Sequence, residues 1–152
     1  TQSRSSAASD VYKRQVLPYQ PLFIKPNKDE LEVMFNTTVS SDQDVVKYGK
    51  EILKKGAQSV IISLGGDGAV YVDEQQSIKA VNPQGKVINT VGSGDSTVAG
   101  MVAGLESGLS IQDAFKQAVA SGTATAFEED LATRDAIEKI KSQVTVSVLD
   151  GE

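Results

Sequence analysis

Ser59-Val60-Ile61-Ile62-Ser63-Leu64-Gly65-Gly66-Asp67-Gly68 decides the fold class. A continuous β-branched run buries both faces of its strand, as the strands of parallel sheets do. The glycine loop then turns the chain at the strand's carboxyl end. Upstream, Ser41 with Asp44 resembles a capping box. Val45, Tyr48, Ile52 and Leu53 follow the helical period from there until Gly56 stops the helix. Further upstream, Pro21 to Lys25 reads as a short buried strand closed by Pro26. Asn27 then caps a helix over Lys28 to Phe35, with Asp29 and Glu30 in its first turn.

Downstream, Ala69 to Val72 and Ser77 to Val81 read as two strands joined by a polar turn, and Val87 to Thr90 as another. A glycine loop, Val91-Gly92-Ser93-Gly94-Asp95, leads into a helix to about Ser107. Ser110 with Asp113 opens the next helix, to about Phe127. Thr133 caps a short helix through Ile140, and Val144 to Leu149 is a last strand. Strands alternating with helices predict an α/β sandwich around a mainly parallel sheet. Thr1 to Gln15 is polar and without period, and reads as a leader unrelated to residues 16–152.

Composition narrows the chemistry. The 152 residues suffice for one domain with its own core. The net charge of −5 disfavours nucleic acid as a partner. With no Cys and no His, thiol catalysis, Cys/His zinc sites and Ser-His-Asp arrangements are excluded. Acid–base work falls to Asp, Glu, Lys or Tyr. No apolar run approaches the ~20 residues of a membrane span, so the chain reads as soluble, cytoplasmic and free of the membrane.

Three segments carry candidate chemistry. In Thr90-Val91-Gly92-Ser93-Gly94-Asp95-Ser96, a strand enters a glycine loop that opens a helix. Backbone N–H groups converge there, and the helix terminus adds partial positive charge, which makes an anion cradle. Asp95 at its lip has two readings: a helix cap, or a base that takes a proton from a hydroxyl attacking a phosphoryl group. Ser63 to Gly68 is either a tight hairpin turn or bare backbone that a ligand approaches. Lys25-Pro26-Asn27-Lys28-Asp29-Glu30 is either a capped helix start or an amide and a carboxylate that hold water around Mg²⁺ and phosphate. The small residues from Ala118 to Phe127 form a helix face for close packing or for an adenine ring. The P-loop pattern is absent, and Gly92-x-Gly94-x-x-Thr97 lacks the third glycine of the dinucleotide fingerprint, which argues against an NAD-dependent oxidoreductase.

Taken in order, Lys25-Pro26-Asn27-x-x-Glu30, Ser63-Leu64-Gly65-x-x-Gly68-Ala69, Val91-Gly92-Ser93-Gly94-Asp95-Ser96 and Gly122-Thr123-Ala124-Thr125-Ala126-Phe127 resemble the carboxyl-terminal half of ribokinase-like (PfkB) sugar kinases. The resemblance covers about Leu22 to Val144. It implies a partial ribokinase-like three-layer sandwich, with ATP and Mg²⁺ as cofactors and a small sugar phosphate as substrate. The ending Ala124 to Thr133 points to the branch that phosphorylates fructose 1-phosphate; kinases of tagatose 6-phosphate share the other motifs. The resemblance also implies residue roles. Asp95 would be the catalytic base, and Gly92, Ser93 and Gly94 the anion hole. Lys25, Asn27, Ser63, Leu64, Gly65, Gly66, Asp67, Gly68, Gly94 and Asp95 would line the nucleotide. Asn27 and Glu30 would hold the metal through water or phosphate. Ser93 departs from the family's usual Ala. Most of the sugar site and the lid that joins subunits in the homodimeric kinases belong to the family's other half. A non-catalytic nucleotide-binding module is the alternative.

Overall fold

The computed structural model describes residues 22–85, 87–88, 92–128 and 132–149. The expectations for Thr1 to Gln15, for Pro21, and for Asn89, Thr90 and Val91 lie outside the described residues. In chain order the elements are α1 (Lys28–Phe35), α2 (Asp42–Lys54), β1 (Val60–Ser63), β2 (Ala69–Val72), β3 (Ser77–Val81), α3 (Ser93–Glu106), α4 (Ile111–Ala126), α5 (Arg134–Lys141) and β4 (Thr145–Val148). The described strands form one sheet in the order β1-β2-β3-β4. Within one compact unit of the chain, α1 packs on β1, and α2 on β1 and β2, as expected for an α/β architecture.

The described residues fall into two compact units. One comprises 22–65, 69–78 and 148–149; the other comprises 66–68 and the described part of 79–147. In the first unit, Ile24 and Asn27 bridge Val60 and Ser63 in parallel. On the other side of β1, β2 pairs antiparallel, with Ser63 opposite Ala69 and Val60 opposite Val72. Around β1, parallel bridging therefore lies on the Ile24 side and antiparallel pairing on the β2 side. Leu64 to Gly68 is too short to carry a parallel crossover, which needs a dozen or more residues, so it closes a hairpin instead.

Burial explains the β-branched run. Val60 and Ile62 join a core with Leu31 of α1 and Val45 and Ile52 of α2. Ile61, whose side chain projects from the opposite face, is also fully buried. Tyr71, opposite Ile61, is buried as well. Its hydroxyl donates to Asp73 Oδ2 at 2.9 Å. Burial, reinforced by that carboxylate, pushes the Tyr71 phenol well above its ordinary value. Asp73 also accepts from the N–H groups of Gln75 and Gln76, both at 2.8 Å, which fixes the polar turn between β2 and β3.

The caps largely follow the sequence. Asn27, Ser41, Ser110 and Thr133 each accept a backbone N–H at the start of their helices. At Ser41 the box is not reciprocal: the Asp44 carboxylate reaches past the cap to the N–H and hydroxyl of Ser40, both at 3.0 Å. In the second unit α3 packs on α4. A Cβ on Gly100 would lie 3.0 Å from Ala118 Cα, and one on Gly104 would lie 3.0 Å from Ala114 Cα. The glycine spacing of α3 is therefore a packing device. Val87 and Ile88 do not extend a strand; the Ile88 N–H instead donates to Ala126 O at 2.9 Å.

Candidate functional site

Each expected motif has a defined local structure. In the first unit, Asn27 Oδ1 accepts from the Glu30 N–H at 2.7 Å, and Glu30 Oε1 accepts from the Asn27 N–H at 3.3 Å. This is a complete capping box. Asn27 also lies beside Ser63 across the parallel bridge, with the Ser63 N–H donating to Pro26 O at 3.0 Å. The fold thus brings the Lys25–Glu30 segment and the start of the Ser63–Gly68 loop together at the carboxyl end of β1. That end is where open α/β sheets bind ligands.

The loop's glycines differ in role. Gly65 to Asp67 make one turn of 3₁₀ helix and are exposed. A Cβ on Gly65 or Gly66 would meet nothing within 4 Å, so the space a side chain would fill is open there. Gly68 is buried at φ +97°, and a Cβ there would lie 1.9 Å from Ala80 O. Its conformation and close packing serve the hairpin.

In the second unit, Gly92 adopts the left-handed region (φ 82°) and precedes α3 without any side-chain cap. The first intrahelical bond runs from the Ser96 N–H to Gly92 O at 2.9 Å. The N–H groups of Ser93, Gly94 and Asp95 come before it and have no acceptor within the helix. Asp95 is exposed in the first turn of α3 and does not cap it. Among the described residues its carboxylate has no hydrogen-bond or ion-pair partner. Of the two readings of Asp95, the cap is the one the geometry removes.

The neighbouring hydroxyls are all engaged. Ser93 Oγ donates to Gly122 O at 2.9 Å, Thr97 Oγ1 to Ser93 O at 3.0 Å, and Thr125 Oγ1 to Ser96 Oγ at 2.9 Å. Thr123 Oγ1 donates to Asn82 Oδ1 at 3.0 Å. Gly122 allows this approach, because a Cβ there would meet Thr97 Oγ1 at 2.2 Å. The face from Ala118 to Thr125 is buried, and at Ala118, Ser121 and Gly122 it lies against α3. Sequence reasoning quoted Thr123 and Thr125 within a motif but gave their hydroxyls no partners. The available signal was a pair of hydroxyls in a run of Ala and Gly, which must find partners if buried.

No group of three or more His, Cys, Asp or Glu side chains capable of holding a metal exists among the described residues. Asn27 and Glu30 each commit an oxygen to the capping box. Their donor set fits Mg²⁺ only through water or phosphate. No helix among the described residues is long and apolar enough to cross a membrane.

Comparison with known proteins sets these motifs in a family. The pattern of the pfkB family carbohydrate kinases matches residues 3–137. The chain belongs to this family. It is similar to the 1-phosphofructokinase of Bacillus subtilis, 42% identical over 130 residues, which are 86% of this chain and 43% of that protein. The D-tagatose-1-phosphate kinase of Bacillus licheniformis is 39% identical over 134 residues, covering 88% of this chain and 44% of that protein. Among solved structures, a Staphylococcus aureus protein provisionally described as a phosphofructokinase superposes with a TM-score of 0.89 at 81% identity. The match covers 91% of this chain and 45% of that one. This pfkB-family chain therefore spans less than half the length of these three relatives.

Proposed function

We propose that the chain carries the nucleotide-binding and base-bearing part of an ATP-dependent sugar-phosphate kinase. The reaction assigned to the whole protein converts fructose 1-phosphate and ATP to fructose 1,6-bisphosphate and ADP. The observation that carries the reading is Asp95: an exposed carboxylate, without a partner among the described residues, in the first turn of an uncapped helix. A carboxylate there repels a phosphate, a cost that its accepting a proton from the attacking hydroxyl would offset.

Asp95 takes the proton of the sugar's 6-hydroxyl as that oxygen bonds to the γ-phosphorus. The bond from phosphorus to the bridging oxygen breaks, and ADP leaves with the electron pair. The Gly92-Ser93-Gly94 turn and the N–H groups of Ser93, Gly94 and Asp95 receive the charge on the transferred group. Nucleotide contacts are assigned to Lys25, Asn27 and the Ser63 to Gly68 loop, and separately to Gly94 and Asp95 at the start of α3. Mg²⁺ bound to the phosphates, with Asn27 and Glu30 as water-mediated partners, would supply neutralising charge. Identity to both a 1-phosphofructokinase and a D-tagatose-1-phosphate kinase supports a phosphorylated ketohexose as substrate.

The test joins this chain to the amino-terminal half of the Bacillus subtilis relative and compares Asp95 with Asp95→Asn. Asn preserves size but cannot accept the proton, so kcat should fall by roughly 10²-fold or more, with MgADP affinity retained. A near-normal kcat would refute the base role.

A further inference from the structure

Every helix of the described residues except α3 begins with a side-chain cap: Asn27, Ser41, Ser110 and Thr133 cap α1, α2, α4 and α5. At α3 the N-cap position is Gly92, which supplies none, and Gly94 follows within the first turn. A side-chain cap would consume a donor that an anion needs, since caps satisfy the N–H of the second or third helical residue. Leaving those donors open makes the turn loose, because glycine at such positions carries the most conformational freedom. Something outside the helix must fix it.

We propose that Thr125 does this, as a positioning residue for Asp95 and for the N–H groups beside it; the inference rests on the kinase reading above. Thr125 is 4% exposed near the end of α4. Its hydroxyl donates to Ser96 Oγ at 2.9 Å. Ser96 follows Asp95 directly, and its N–H opens the helix's hydrogen-bond ladder on Gly92 O. The bond from Ser93 Oγ to Gly122 O holds the other end of the same turn to α4. Thr125 thus replaces an N-cap from the side, ordering the turn while its donors stay free for a γ-phosphoryl group.

The experiment uses the 152-residue chain, Thr125→Val and Thr125→Ser. Calorimetry measures binding of MgADP and of a non-hydrolysable imido analogue of MgATP. Amide hydrogen exchange is followed at Ser96. One lost hydrogen bond predicts that Thr125→Val binds the analogue about three- to tenfold more weakly, with MgADP affinity changed less than about twofold. The Ser96 amide should exchange faster by a similar factor, and Thr125→Ser should behave as the parent chain does. Equal losses for both nucleotides, or unchanged Ser96 exchange in Thr125→Val, would overturn the proposal. If the parent chain binds neither nucleotide, the kinase reading fails, and the Ser96 exchange still decides whether Thr125 orders the turn.

Discussion

Three glycines in the loop after β1 are chemically identical yet should respond very differently to a methyl group. At Gly68 the backbone sits at φ +97°, and a Cβ would lie 1.9 Å from the carbonyl oxygen and 2.9 Å from the carbonyl carbon of Ala80. The left-handed conformation costs an alanine about 1–2 kcal/mol. Displacing a packed backbone costs about 1–3 kcal/mol more. Gly68→Ala should therefore destabilise by about 2–5 kcal/mol, a large share of a typical domain's stability. Gly65 has positive φ (+62°) but open space around it, so Gly65→Ala should cost only about 1 kcal/mol. Gly66 has neither constraint, and Gly66→Ala should stay within about 0.5 kcal/mol. Urea unfolding at constant m reads the series directly, and Gly68→Ala should lower the midpoint on the order of 1–2 M. MgADP titration of Gly66→Ala adds the functional arm: weaker binding at unchanged stability if the exposed backbone faces the nucleotide. A Gly68→Ala midpoint equal to that of Gly66→Ala would refute the division between structural and ligand-facing glycines.

Two further outcomes follow from the same structure. The Ser40 N–H and hydroxyl, helped by Ser41, hold the Asp44 carboxyl below its ordinary value of 3.8. A pKa depressed on folding gives stability that is present above the ordinary value and lost as pH falls through the folded one. Asp44→Asn should thus be less stable than the parent chain at neutral pH, and the two should converge as pH falls below the ordinary value of 3.8 and through the lower folded one, measured as urea midpoints against pH. Phe115 is 0% exposed in α4, and Phe115→Ala should cost about 3–5 kcal/mol in the same assay.

The motifs of the candidate site are local, and for that reason they are visible in the sequence. Gly92-Ser93-Gly94-Asp95 shows a loop opening a helix because glycine and the first-turn carboxylate act within a few residues. It does not show whether Asp95 caps. That depends on where the carboxylate ends up relative to its own helix, and the structure leaves it free of the N–H groups. Asn27 and Glu30 illustrate the converse. Their spacing permits either a cap or a metal-linked pair, and the structure shows the capping box complete. Ser93, which departs from the family's usual Ala, donates its hydroxyl to a backbone carbonyl 29 residues away, that of Gly122.

Sequence alone determined the order and limits of most elements. Lys28–Phe35, Ala69–Val72 and Ser77–Val81 have the expected bounds, because caps, turn residues and hydrophobic period act over one or two turns of chain. It also excluded thiol and imidazole chemistry and Cys/His zinc sites, since the side chains are not present. Tertiary structure decided which way strands pair and which polar groups meet. Val87 and Ile88 have strand-like side chains but belong to no strand of the described residues, and the Ile88 N–H donates to Ala126 O at the end of α4. Thr125 and Ser96 meet only because Gly122 lets α4 approach α3. A hydrogen bond between residues distant in sequence carries no periodic signal. It exists only once packing has brought two buried hydroxyls close enough to satisfy each other.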